Sequence, residues 1–116
     1  MPRCLLSAPS VAQDLSEQHR DLDGTAGVAM LLGQVLSDAG RREEAAEHYM
    51  DALLLAEAND FRMLQGELLA RLGEVESDRS QKVEYLQRSL TVFRELGAVD
   101  RMREVQTSVH RAVMGN

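Results

Sequence analysis

Aromatic residues are nearly missing from this chain: two Tyr, two Phe and no Trp among 116 residues, or 3%. With only two prolines as well, a β-sandwich is excluded, because its strands draw on aromatic and β-branched residues and its turns recur at short intervals. The single cysteine, Cys4, forbids an intramolecular disulfide and points to a reducing, cytoplasmic compartment. No apolar run reaches the roughly eighteen residues of a membrane span, and Cys4-Leu5-Leu6 is too short for the core of a signal peptide. Basic residues are outnumbered, 13 Lys and Arg against 19 Asp and Glu for a net charge of −6. Phosphate recognition needs a concentrated basic surface, so neither nucleic acid nor an anionic membrane is an expected partner.

Catalytic and metal motifs are missing too. The chain has no G-x-S-x-G, H-E-x-x-H, P-loop or dinucleotide-binding glycine pattern, and Cys4 has no local context for nucleophilic catalysis. His19, His48 and His110 are far apart in sequence and without partners at metal-ligand spacing. The expectation is a protein with no enzymatic activity, cofactor or metal, in a single all-α domain over 10–116 preceded by a loose tail over 1–9.

What is present is helical periodicity. Val28, Leu31, Leu32, Val35 and Leu36 recur at helical spacing until Asp38-Ala39-Gly40, where Gly40 can adopt the left-handed conformation that ends a helix. Ala45, Tyr49, Ala52, Leu53 and Ala56 then share one face of a second helix, opposite an acidic stripe of Glu43, Glu44, Glu47 and Asp51. Asn59-Asp60 reads as a turn with Asp60 as N-cap of a helix whose stripe is Phe61, Leu64, Leu68, Leu69, Leu72 and Val75. Ser80 reads as the cap of the next helix, with Val83, Leu86, Leu90 and Phe93, ended by Gly97. A last helix from Arg101 to about Met114 presents Met102, Val105, Val109 and Ala112. Upstream, Ser10 and Gln13 form a capping-box pattern for a short helix over 10–19 in which Val11, Ala12 and Leu15 cover a neighbour; Asp21-Leu22-Asp23-Gly24 follows as a break. Met50, Met63 and Met102 lie near the apolar stripes as core filling.

Leu32-Gly33, Ala45, Tyr49 and Ala52 are spaced as in the tetratricopeptide repeat, which this stretch resembles, and Leu72-Gly73 returns forty residues after Leu32-Gly33. Ser89-Leu90 follows Ala52-Leu53 by thirty-seven, and Asp100 follows Asp60 by forty. Ala29 and Leu36 replace the family's first-helix aromatics, and Glu57 its closing proline. The period near forty is similar to that of the longer-helix variant of the family, over roughly Asp21 to Val113.

The resemblance implies a right-handed stack of helical hairpins, with Leu32, Tyr49, Leu53, Leu72, Leu86 and Leu90 in the core. It also implies a concave groove lined by the first helix of each unit. That groove would hold Gly27, Met30, Gln34, Ser37 and Asp38, then Glu67, Ala70, Glu74, Ser77 and Asp78, then Arg103, Thr107 and His110. The function implied is an adaptor or scaffold that binds a peptide or helix of another protein, its carboxylates favouring a basic or amphipathic ligand. Two alternatives stand beside it: a structural domain that associates with its own copies, and a regulatory fragment of a larger ligand-sensing repeat protein.

Overall fold

The computed structural model describes residues 24–114. The expected tail at 1–9, the helix at 10–19, the break over 21–23 and Gly115-Asn116 lie outside them. Among the described residues there are five helices and no strand. They are α1 (24–38), α2 (Arg42–Ala58), α3 (Arg62–Val75), α4 (Arg79–Leu96) and α5 (Val99–Met114). Gly24, expected in the break, is already helical. Turns of about three residues join them, so successive helices fold back on one another, and α2 with α3, α3 with α4 and α4 with α5 form the main contacts.

Three glycines set how closely these helices approach. A Cβ built on Gly33 would lie 2.5 Å from Tyr49 Cε1, one on Gly66 would lie 2.7 Å from Phe93 Cε1, and one on Gly73 would lie 2.7 Å from Leu86 Cγ. Each glycine is therefore a seat for a large side chain of the following helix. Because Gly66 meets Phe93 and Gly73 meets the earlier Leu86, α3 and α4 run antiparallel. Gly33 and Gly73 are forty apart, and their guests Tyr49 and Leu86 thirty-seven, so the same seat recurs in each hairpin.

The core divides into two clusters that share α3 and α4. Tyr49, Ala52, Leu53 and Ala56 of α2 pack with Leu68, Leu69, Leu72 and Val75 of α3 and with Val92 of α4, while Ala70 joins Leu86, Phe93 and Val105 on the side of α4 and α5. Buried polar groups are satisfied: Ser89 Oγ donates to the Gly66 carbonyl at 2.7 Å, and Gln65 Nε2 to the Ala56 carbonyl at 3.2 Å. Lys82 Nζ donates to the carbonyls of Gly73 at 2.6 Å and Glu74 at 3.3 Å, closing the end of α3.

Several expectations are corrected. Leu32 is 48% exposed, not core, and Val28, Leu31 and Val35 are exposed with it. Val28, Leu31 and Val35 lie on the side of α1 opposite Gly33, which faces α2, with Leu32 on the flank of that side, and no described helix covers it. Leu90 is half-buried against the second cluster. Met63 is exposed, whereas Met50 and Met102 do pack against the core. Asp60 has φ of 57°, a left-handed turn residue that cannot take the extended conformation of an N-cap, so the cap falls on Phe61. Asp78, not Ser80, caps α4, its carboxylate accepting from the Gln81 amide at 3.0 Å. A carboxylate is favoured at a positive helix end. Gly40 and Gly97 do adopt positive φ, 82° and 70°.

Leu72, 2% exposed between α2 and α3, carries a direct test. Leu72→Ala is expected to cost about 2–5 kcal/mol, the range for large-to-small core changes, measured by urea denaturation. A cost under about 1 kcal/mol would place this side chain outside the core.

Candidate functional site

The odd-numbered helices carry the residues that the repeat resemblance assigned to a groove, and polar side chains tie these helices together. Arg71 of α3 donates to the Gln34 side chain of α1, and Gln34 Nε2 donates to Asp38 at 2.8 Å. Farther along, Arg101 of α5 grips Glu67 of α3 with two parallel bonds, Nε to Oε1 at 2.6 Å and Nη2 to Oε2 at 2.5 Å. It also pairs with Glu104 on its own helix. The same guanidinium lies 5.3 Å from the centroid of the Phe93 ring, so one cation joins α3, α4 and α5. Burial works against the charge on Arg101, but the hydrogen bonds and field of Glu67 outweigh it and hold its pKa above the ordinary value.

Between α3, α4 and α5 lies an open hollow of about 230 Å³ lined by Gly73, Glu74, Lys82, Leu86, Ser108, Arg111 and Ala112. It exists because Gly73 and Ala112 are small. Its apolar lining is Leu86 and Ala112, and Glu74, Lys82, Ser108 and Arg111 supply polar groups of both signs. Burial and the nearby positive charge of Arg42 push the Lys82 pKa down, with Glu74 and Glu76 opposing them.

The residues assigned to the groove fall into distinct roles here. Glu74 is exposed and lines the hollow; Asp38 is exposed at the end of the Gln34 chain. Arg103, Thr107 and His110 are exposed along α5, Thr107 Oγ1 donating back to the Arg103 carbonyl at 3.0 Å. Met30 is half-buried against the first core cluster. Ala70 is buried in the second cluster and offers no surface to a ligand. Glu67 is half-buried and its charge is matched by Arg101; Asp78 is committed to capping α4. Of the expected contacts, Glu74 alone lines the hollow, beside Lys82, Ser108, Arg111 and Ala112, which were not among them. Nothing in the local pattern marks these four, since the hollow arises only where three helices meet.

No group of three or more His, Cys, Asp or Glu side chains among the described residues is placed to hold a metal ion, and no helix among them is long and apolar enough to cross a membrane. Compared with protein-family models, with curated proteins and with solved structures, the chain matches none.

Two outcomes follow from this geometry. The Arg101 and Glu67 side chains are 32% and 22% exposed, between the surface and buried regimes, so Arg101→Ala is expected to cost about 1–2 kcal/mol. A double-mutant cycle with Glu67→Gln should return most of that as coupling. The phenol of Tyr49 has its pKa raised above 10.0, first by burial and then by Glu74 and Asp38, against the opposing pull of Arg71. The folded state thus holds this proton more tightly than the unfolded chain does. Its contribution to stability is full below pH 10 and is lost as the pH rises from there through the raised value. Urea midpoints at pH 8 and pH 11 should show a fall that Tyr49→Phe reduces.

Proposed function

We propose that this domain is a protein-binding module of the helical-repeat kind, an adaptor or scaffold that receives a peptide or helix of another protein across α1, α3 and α5. The observation that carries the reading is the hollow beside Glu74: an apolar floor with polar groups around it, sized for one side chain, where α3, α4 and α5 meet. Preformed concave sites of this chemistry fix an apolar anchor and orient the main chain around it. The recurrent Gly33 and Gly73 seats support the stack of hairpins, right-handed as in tetratricopeptide repeats, that would make this face concave. The fold analogy supplies the class of ligand, and the site supplies its character.

Of the basic or amphipathic ligands that the sequence implied, the site favours the amphipathic kind. With Glu67 neutralised and Lys82 and Arg111 beside the hollow, the face is mixed in charge. The ligand is an amphipathic segment whose apolar residue enters the hollow and whose basic residue meets Glu74. Its affinity comes from the anchor, since an exposed ion pair is worth only about 0–1 kcal/mol and acts mainly on the association rate.

A peptide array followed by titration tests the reading, with micromolar binding of amphipathic segments as the expected result. Ala112→Trp, which fills the hollow, should weaken binding about tenfold or more, whereas Glu74→Lys should slow association at low salt with little change at high salt. An array that yields no ligand, or ligands insensitive to Ala112→Trp, would overturn it.

A further inference from the structure

Acid and arginine face each other twice across α3 and α5, once in contact and once apart. Glu67 of α3 and Arg101 of α5 meet through two parallel hydrogen bonds. Seven residues farther along α3 comes Glu74, and ten farther along α5 comes Arg111, and both line the hollow. Since each helix advances from the closed couple to the same hollow, the two run in the same direction, and the second couple lies about 10–15 Å beyond the first. There the charges do not meet. Among the described residues, neither the Glu74 carboxylate nor the Arg111 guanidinium has a hydrogen bond or an ion pair, and both residues are exposed.

What separates them is the hollow itself. Gly73 and Ala112, their neighbours in sequence, bring almost no side chain into it, and Leu86 of α4 supplies apolar surface between the two walls. The other cation there, Lys82, is already engaged: its ammonium donates to the main-chain carbonyls of Gly73 and Glu74, where it offsets the negative end of the α3 dipole. The free charges are therefore one of each sign, on opposite helices, with an apolar seat between them.

We propose, resting on the reading of this hollow as a peptide site, that its ligand is an amphipathic helix with a basic residue on one flank of its apolar anchor and an acidic residue on the other. The basic flank meets Glu74 and the acidic flank meets Arg111. In a helix, residues three and four positions from the anchor lie beside it on the same face, so a single turn in each direction supplies both flanks. Such a ligand completes the open couple with two ion pairs where Glu67 and Arg101 make one. It is also held in one direction, because turning it end for end exchanges its flanks and sets like charges against each other on both walls.

The test uses the full chain and three synthetic helical peptides that share a leucine anchor and differ only in their flanks: one basic and one acidic, both basic, or both acidic. At low salt the two-signed peptide should bind about fivefold more tightly than either of the others, with most of the difference lost at high salt. Arg111→Glu makes both walls acidic and should put the doubly basic peptide first, whereas Glu74→Arg should put the doubly acidic one first. Both positions are exposed and unpaired, so the urea midpoints should stay where they are. A paramagnetic tag on one end of the two-signed peptide should broaden amide signals near Arg101 or near Met114, but not both. Three peptides that lose affinity with Ala112→Trp, yet bind equally and ignore both charge reversals, would leave the hollow as a peptide site and overturn the two-signed ligand. Binding by none of them, or binding insensitive to Ala112→Trp, would overturn the peptide site and the two-signed ligand together.

Discussion

The fold depends on backbone laid bare. At Gly33, Gly66 and Gly73 the helices approach until a ring or a branched side chain rests where a Cβ would stand, so the largest buried groups of one helix are packed against the peptide units of the previous one. Dispersion rewards such contact strongly because a flat ring against a helix leaves no gap. It also explains how so few aromatics suffice: Tyr49 and Phe93, two of the four in the chain, are both in these seats and fully buried. Where the seat holds a large guest, the host has no side chain. The buried Ser89 hydroxyl bonded to the Gly66 carbonyl belongs to the same economy, since close approach brings a main-chain acceptor within its reach.

How much of this was legible in the sequence depended on whether a feature is local. The helices could be read because a buried stripe returns every three or four residues, and the five α2 residues expected to be buried are buried. Gly40 and Gly97 were readable because a left-handed residue after an apolar run has few alternatives. Leu32 and Leu72 have the same local context, Leu-Gly at one repeat position, yet one is exposed and the other core. The difference lies in the neighbouring helix, which periodicity does not report. Asp60 and Asp78 show the limit at a finer scale, where two acidic residues near helix starts divide into a left-handed turn residue and a true cap.

The candidate site was less legible than the fold, and for a physical reason. Arg101 is thirty-four residues from Glu67 and Arg71 thirty-seven from Gln34, so which carboxylates and amides remain open to a ligand is decided by long-range pairing. Counting acidic residues along the odd helices overestimated the negative field because Glu67 is already matched and Asp78 already used. Ala70, small and on a helix assigned to the groove, is inside the core because Leu86, Phe93 and Val105 converge on it.

The division of the core into two clusters bears on how the molecule acquires and loses order. α3 and α4 each contribute buried side chains to both, α3 through Leu68, Leu69, Leu72 and Val75 to one cluster and Ala70 to the other, α4 through Val92 to the first and Leu86 and Phe93 to the second. In quasi-linear repeat folds each unit is stabilised by its immediate neighbours, so order propagates outward from whichever unit has two. Amide protons of α3 and α4 should therefore be the last to exchange, with protection declining toward α5 on one side and α1 on the other. The α3–α4 hairpin is the keystone of cooperativity: were it to melt, the two clusters would lose the elements through which each senses the other.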